Sequence, residues 1–386
     1  MIKTLTAYTT EIDNTDEAIK DILTQLDLEN NLLKNTVGII SCYPEFIENG
    51  IVQKLSDKLP FKTMGVTTFA CAVNGEMGQL LLTISVLTSD TTTFSTAVTE
   101  PLSYNNLKPA IEKAYMEASS VTEKKPDMVL VMTPFTIKVA GDDFVKTLDE
   151  VSGSVPIFGT AAVDDTPNYE KCSVIYNGLS HPDTLAMTLV YGDIKPEFSI
   201  GHVSEESILS QKAIITESKG NVLIRVNDMP ALDYLKSLGL APDGQMVSFA
   251  GVPLLVDFND GTKPVARVII AVTPEGHVVC GGLMPENTIL SIGSMNYKEV
   301  LNVSQNIFNN ILKSENKNGV FIFSCLARNS ALGLDAEAEM QAAQEMFGGK
   351  IPFFMEYSGG EICPVPNAEG KLVNRFHNDT IVTCIF

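Results

Sequence analysis

The chain has 386 residues, more than one hydrophobic core normally fills, and its 45% apolar content with no polar repetitive stretch excludes a disordered chain. Its 27 basic against 47 acidic side chains give a net charge of −20, which repels a phosphate backbone and an anionic membrane and argues against nucleic acid or membrane as partner. No apolar run is long enough to cross a bilayer, and residues 1–10 lack the basic start and apolar centre of a signal peptide, so a cytoplasmic location is expected.

The predicted elements alternate short apolar runs with amphipathic stretches, which points to an α/β (mixed α+β) fold. Three segments share one plan of strand, helix, strand and strand. The first opens with a buried strand at 37–42 (VGIISC), and Phe46, Ile47, Ile51 and Leu55 then recur at helical spacing. A proline-led strand follows at 60–65, and a long closing strand at 79–87. The second has its strand at 128–133, helical spacing at Phe144, Val145 and Leu148, a proline-led strand at 156–160 and a closing strand at 184–191. The third repeats the order at 320–325, 352–360 and 378–386. Residues 181–184 (HPDT) and 377–380 (HNDT) introduce the last two closing strands alike. On this reading Cys42, Thr133 and Cys325 end equivalent strands.

Between the second and third copies the pattern gives a hairpin at 213–226, a short helix at 230–238 and strands at 252–258, 265–272 and 276–280, with the Asn259-Asp260-Gly261 reversal. A longer helix at 297–312 leads into copy three. The polar stretch 204–212 divides the chain into an expected domain 1–208, holding two copies, and a domain 209–386, holding the third copy and the inserted hairpins.

Ligands favour the carboxyl ends of strands that lead into helices. In copy three those ends carry Ser324, Cys325 and Arg328, then Tyr357, Gly359, Gly360 and Glu361, then His377 and Asn378. Together they form an expected ligand-binding set. Arg328 offers a fork of donors to a carboxylate, Glu361 accepts from an ammonium, and the two glycines allow close backbone approach, which suits an amino acid or similar small zwitterion or carboxylate. The bland alternative pairs Arg328 with Glu361 across two loops. A second reading makes Cys325, His377 and Glu361 nucleophile, base and orienter of a thiol-dependent hydrolase or transferase. A third makes the chain a structural or adaptor protein.

The seven cysteines form no C-x-x-C pair and read as reduced core thiols. Four scattered histidines offer no metal site, and neither a phosphate loop, a dinucleotide turn nor a zinc helix is present, so no cofactor is expected. The acidic run 335–339 reads as the first turn of a helix, where carboxylates suit the dipole.

Residues 324–328 (SCLAR), Leu332-Gly333, 351–353 (IPF), 357–361 (YSGGE) and 378–380 (NDT) resemble the C-terminal FIST domain, and 37–203 is similar to the N-terminal FIST domain. The resemblance implies a bacterial signal-transduction module that senses small ligands and supplies no established catalytic residues, so an enzyme is the less favoured expectation. It runs from near the start to Phe386 with no output domain, which implies output through a signalling partner protein or homo-oligomerisation.

Overall fold

The structure, a computed structural model, describes residues 2–135, 139–166, 169–192, 194–240 and 251–386. The predicted mixed α/β architecture is what forms, built from three six-stranded sheets of identical order and a fourth, antiparallel sheet.

Each of the three sheets is assembled in the same way. The first runs Lys3–Thr9, Leu82–Ser89, Asn35–Cys42, Lys62–Thr67, then the hairpin Val174–Tyr176 and Leu179–His181. The second runs Thr93–Val98, Ala186–Tyr191, Met128–Thr133, Ile157–Ala161, then the hairpin Glu361–Pro366 and Leu372–His377. The third runs Glu197–Gly201, Ile381–Ile385, Val320–Cys325, Phe353–Ser358, then the hairpin Cys71–Val73 and Glu76–Gly78. In every sheet the two central strands joined by helix are parallel. Every copy therefore hands its hairpin to another copy's sheet: copy two's to sheet one, copy three's to sheet two and copy one's to sheet three.

The repeat plan thus holds, with a leading strand and an exchanged hairpin added to each unit. The physical reason for exchange lies in the faces. Met64, Phe158 and Phe354 of the second strands, together with Ile39, Leu130 and Phe321 opposite them, point into one core shared by all three sheets. The alternate residues point outward to three separate helix-covered layers, such as Ile40 with Leu55 and Val131 with Phe144. The first helical stretch is two short helices, Glu45–Glu48 and Ile51–Lys58, broken at Gly50 with φ 73°.

Counting along the ladders corrects one equivalence. Three residues beyond Ile39, Leu130 and Phe321 stand Cys42, Thr133 and Ser324, so Cys325 lies one residue past the strand end that Cys42 and Thr133 mark, and on the other face.

Residues 213–292 form the fourth sheet, with its own core of Ile215, Leu223, Val226, Leu254 and Leu290. It touches the end of the three-sheet body where Arg267 Nη1 donates to the Phe376 carbonyl at 2.7 Å and the Asn378 amide donates to the Ala266 carbonyl at 3.3 Å. Among the described residues no helix is long and apolar enough to cross a membrane.

Candidate functional site

The sequence-derived set divides between the two faces of sheet three. Cys325, Glu361 and His377 gather on the inner side, and the Asn378 side chain beside them lies against Gly281 of the fourth sheet's lobe. The Cys325 amide donates to the Thr380 carbonyl at 2.9 Å, and the Thr380 hydroxyl donates to Glu361 Oε2 at 2.6 Å. Glu361 opens the exchanged hairpin, where the ladder sets it opposite His377 on one side and Thr160 on the other. Asp379 takes the left-handed conformation, φ 51°, and is fully buried. Its copy-two counterpart Asp183 does the same at φ 57°, so the shared HxDT turn is a backbone device as well as a chemical one.

Ser324, Arg328 and Tyr357 lie on the outer side. Arg328 is buried on the helix Leu326–Leu332 and bonds Glu339 of the helix Ala338–Phe347, Nη2 to Oε1 at 2.6 Å. The same guanidinium donates to Ser324 Oγ at 3.2 Å, Ser304 Oγ at 2.8 Å and the Val300 and His202 carbonyls. Ser324 in turn donates to Glu339 Oε2 at 2.6 Å, and Tyr357 Oη reaches the Ala336 carbonyl at 3.4 Å. One expectation is corrected here. Arg328 pairs with Glu339 rather than clamping a ligand with Glu361 or bridging to it. Glu339 stands in the first turn of its helix, as the sequence predicts, and the helix turns it toward sheet three, where it is a buried ion-pair partner.

The glycines are also used differently. A Cβ at Gly360 would lie 2.2 Å from the Phe376 ring, and one at Gly359 would lie 2.8 Å from the Ala162 carbonyl, so both admit neighbouring chain rather than an approaching ligand.

Among the described residues, seven buried polar atoms at this end have no hydrogen-bond partner: Glu361 Oε1, His377 Nδ1, Asn378 Oδ1, both Asp379 oxygens and, deeper, both Glu356 oxygens. His377 Nε2 faces the Cys363 carbonyl at 3.1 Å, so Nε2 carries the proton and Nδ1 accepts. Among the described residues the cluster is therefore rich in acceptors and holds no cation. Burial pushes the Asp379 carboxyl up to about 8 and Glu361 well above its ordinary value, Thr380 offsetting part of the latter. Burial drives His377 down to about 3.

The thiol-catalysis arrangement does not form. Burial, then the neighbouring Glu361 and Asp379, raises the Cys325 thiol well above its usual range, and His377 is engaged with Cys363.

Sequence reading missed Glu356. It sits opposite Cys71, is fully buried, and burial lifts it to about 8 with the Ser41 and Thr160 side chains opposing the shift. A lone glutamate inside the otherwise apolar run 353–357 was the available signal. Among the described residues no three His, Cys, Asp or Glu side chains are placed to hold a metal ion.

Three sheets of one order, each completed by another copy's hairpin, with an acceptor-rich cluster at one end, define a concatenated α/β protein. The FIST N domain matches residues 36–229 and the FIST C domain residues 231–364, and the chain belongs to the FIST family. FIST domains are associated with small-ligand sensing in signalling. A comparison with curated proteins gave no match. Among solved structures the chain is similar to one described as "Cyanuric acid hydrolase: evolutionary innovation by structural concatenation", at 10% identity and a TM-score of 0.29, over 76% of this chain and 99% of that one.

Proposed function

We propose that the chain is an intracellular small-ligand sensor that binds an amine-bearing molecule, an amino acid among them, at Glu361, His377, Asn378 and Asp379 beside Cys325. The observation that carries the reading is the set of buried acceptors that have no hydrogen-bond partner among the described residues. Leaving such groups unpaired costs about 1–3 kcal/mol each, so a ligand that supplies N–H donors gains by pairing them. An ammonium group also complements the Glu361 and Asp379 carboxyls, favouring their ionised form against the burial that otherwise keeps them protonated. Arg328 contributes by holding the helix that starts at Cys325 against Glu339, one step removed from the ligand. Output then passes to a signalling partner or a second copy of the chain.

Thermal-shift titration against amino acids, simple amines and matched carboxylates tests the proposal. Amines and amino acids should stabilise the protein, and Glu361→Gln should abolish that response while leaving the fold intact. Stabilisation by carboxylates alone, or none by any amine, would defeat the reading.

A further inference from the structure

A second site, independent of the amine cluster, lies on the outer side of sheet two. A cleft of about 320 Å³ opens between the helix Gly141–Ser152, the exchanged strand Leu372–His377 and Phe258 of the fourth sheet's lobe. Its carboxylates are already engaged. Asp142 accepts from Arg267 Nη2 at 2.6 Å and the Leu283 amide at 2.9 Å, and Asp149 accepts from Asn374 Nδ2 at 2.6 Å and Ser154 Oγ at 3.2 Å. Glu150, one turn beyond Lys146, is paired with Lys108 at 3.0 Å.

The cations are not engaged to the same extent. The ammonium groups of Lys146 and Lys371 have no partner among the described residues, and Arg375, paired to Asp260 and stacked over Phe258 at 4.9 Å, keeps a buried Nε with no acceptor. Once Arg267 is set against Asp142 and Arg375 against Asp260, two lysines face the single carboxylate of Asp149. The cleft is therefore locally positive on a chain of net charge −20, and Val145, Leu372 and Phe376 give it an apolar wall.

We infer that this cleft binds a small organic anion, a phosphate or carboxylate carried on an apolar body, with Lys146, Lys371 and Arg375 Nε taking the charged group. Because Phe376 forms the wall and His377 follows it in the same strand, an occupant here bears directly on the strand that enters the amine cluster.

Calorimetric titration of the full chain with phenyl phosphate, benzoate and benzyl alcohol tests the inference at fixed ionic strength. At least one of the two anions should bind saturably and the uncharged alcohol should not; which anion binds identifies the charged group. The double variant Lys146→Glu/Lys371→Glu, both positions being exposed, should weaken that binding about tenfold or more without unfolding the protein, while Glu361→Gln leaves it unchanged. Binding of neither anion, equal binding of the alcohol, or indifference to the double variant would overturn the inference without touching the amine proposal.

Discussion

Arg328 and Glu339 are both fully buried, and removing one member of such a pair strands an uncompensated charge in the interior. Arg328→Ala is expected to cost about 3–5 kcal/mol in a urea titration, an effect on folding that a surface ligand clamp would not produce. The titrating groups at the inner end give a second expectation. Glu356, raised to about 8, and Asp379, also raised to about 8, contribute stability that is complete at low pH and lost as pH rises through that value. His377, lowered to about 3, and His202, lowered to about 4, contribute the reverse, present above 6.5 and lost on acidification. The two pairs oppose each other below 6.5, while above it only the carboxyls change. The unfolding free energy, and with it the urea midpoint, should therefore fall between pH 6.5 and 8, the free energy by up to about 1.4 kcal/mol per pH unit for each carboxyl. Glu356→Gln with Asp379→Asn should make that decline shallower, the remainder coming from Glu361, whose carboxyl burial also raises. A midpoint constant or rising over this range in the parent chain would refute the burial account.

At the scale of elements, the central strands and their helices were legible because alternation and helical spacing are local signals. The hairpin exchange was not, since Cys71–Val73 pairs with Phe353–Ser358 across almost three hundred positions and nothing in either run names its partner. The site was half legible for the same reason. Cys325 and Arg328 are three residues apart, yet the helix start between them sends one side chain inward and the other outward, a division that residue type does not reveal. Gly65 and Gly159 occupy matching places in the second strands, where a Cβ would stand 1.9 Å from the Ile40 carbonyl and 2.0 Å from that of Val131. Copy three has Met355 there, opposite Ile322. Gly159→Ala is expected to destabilise by about 1–3 kcal/mol through forced separation of the parallel pair, measured by the shift in urea midpoint. An unchanged midpoint would mean that the strands part freely.

At the scale of the whole molecule, exchange makes the three sheets mutually dependent. A chain cut after residue 208 keeps the first two copies of the pattern but deprives the strand Glu197–Gly201 of Ile381–Ile385, the hairpin 71–78 of Phe353–Ser358, and Ile157–Ala161 of its outer neighbour Glu361–Pro366. The inner faces of sheets one and two would also expose residues that Phe321, Phe323 and Phe354 cover in the full chain. By contrast, the sheet of residues 213–292 closes on its own core. The fragment 1–208 is accordingly expected to be aggregated or unfolded, and the intact three-sheet body to unfold in a single transition, with near-ultraviolet and far-ultraviolet circular dichroism coinciding in urea. A soluble, cooperatively folded 1–208 fragment would show that the exchanged hairpins decorate two self-sufficient copies. Coincident transitions would instead place cooperativity in the shared core, where a ligand pairing the acceptors of Glu361 and Asp379 acts on sheets two and three at once, because the strand 361–366 belongs to sheet two while Thr380 leads into sheet three.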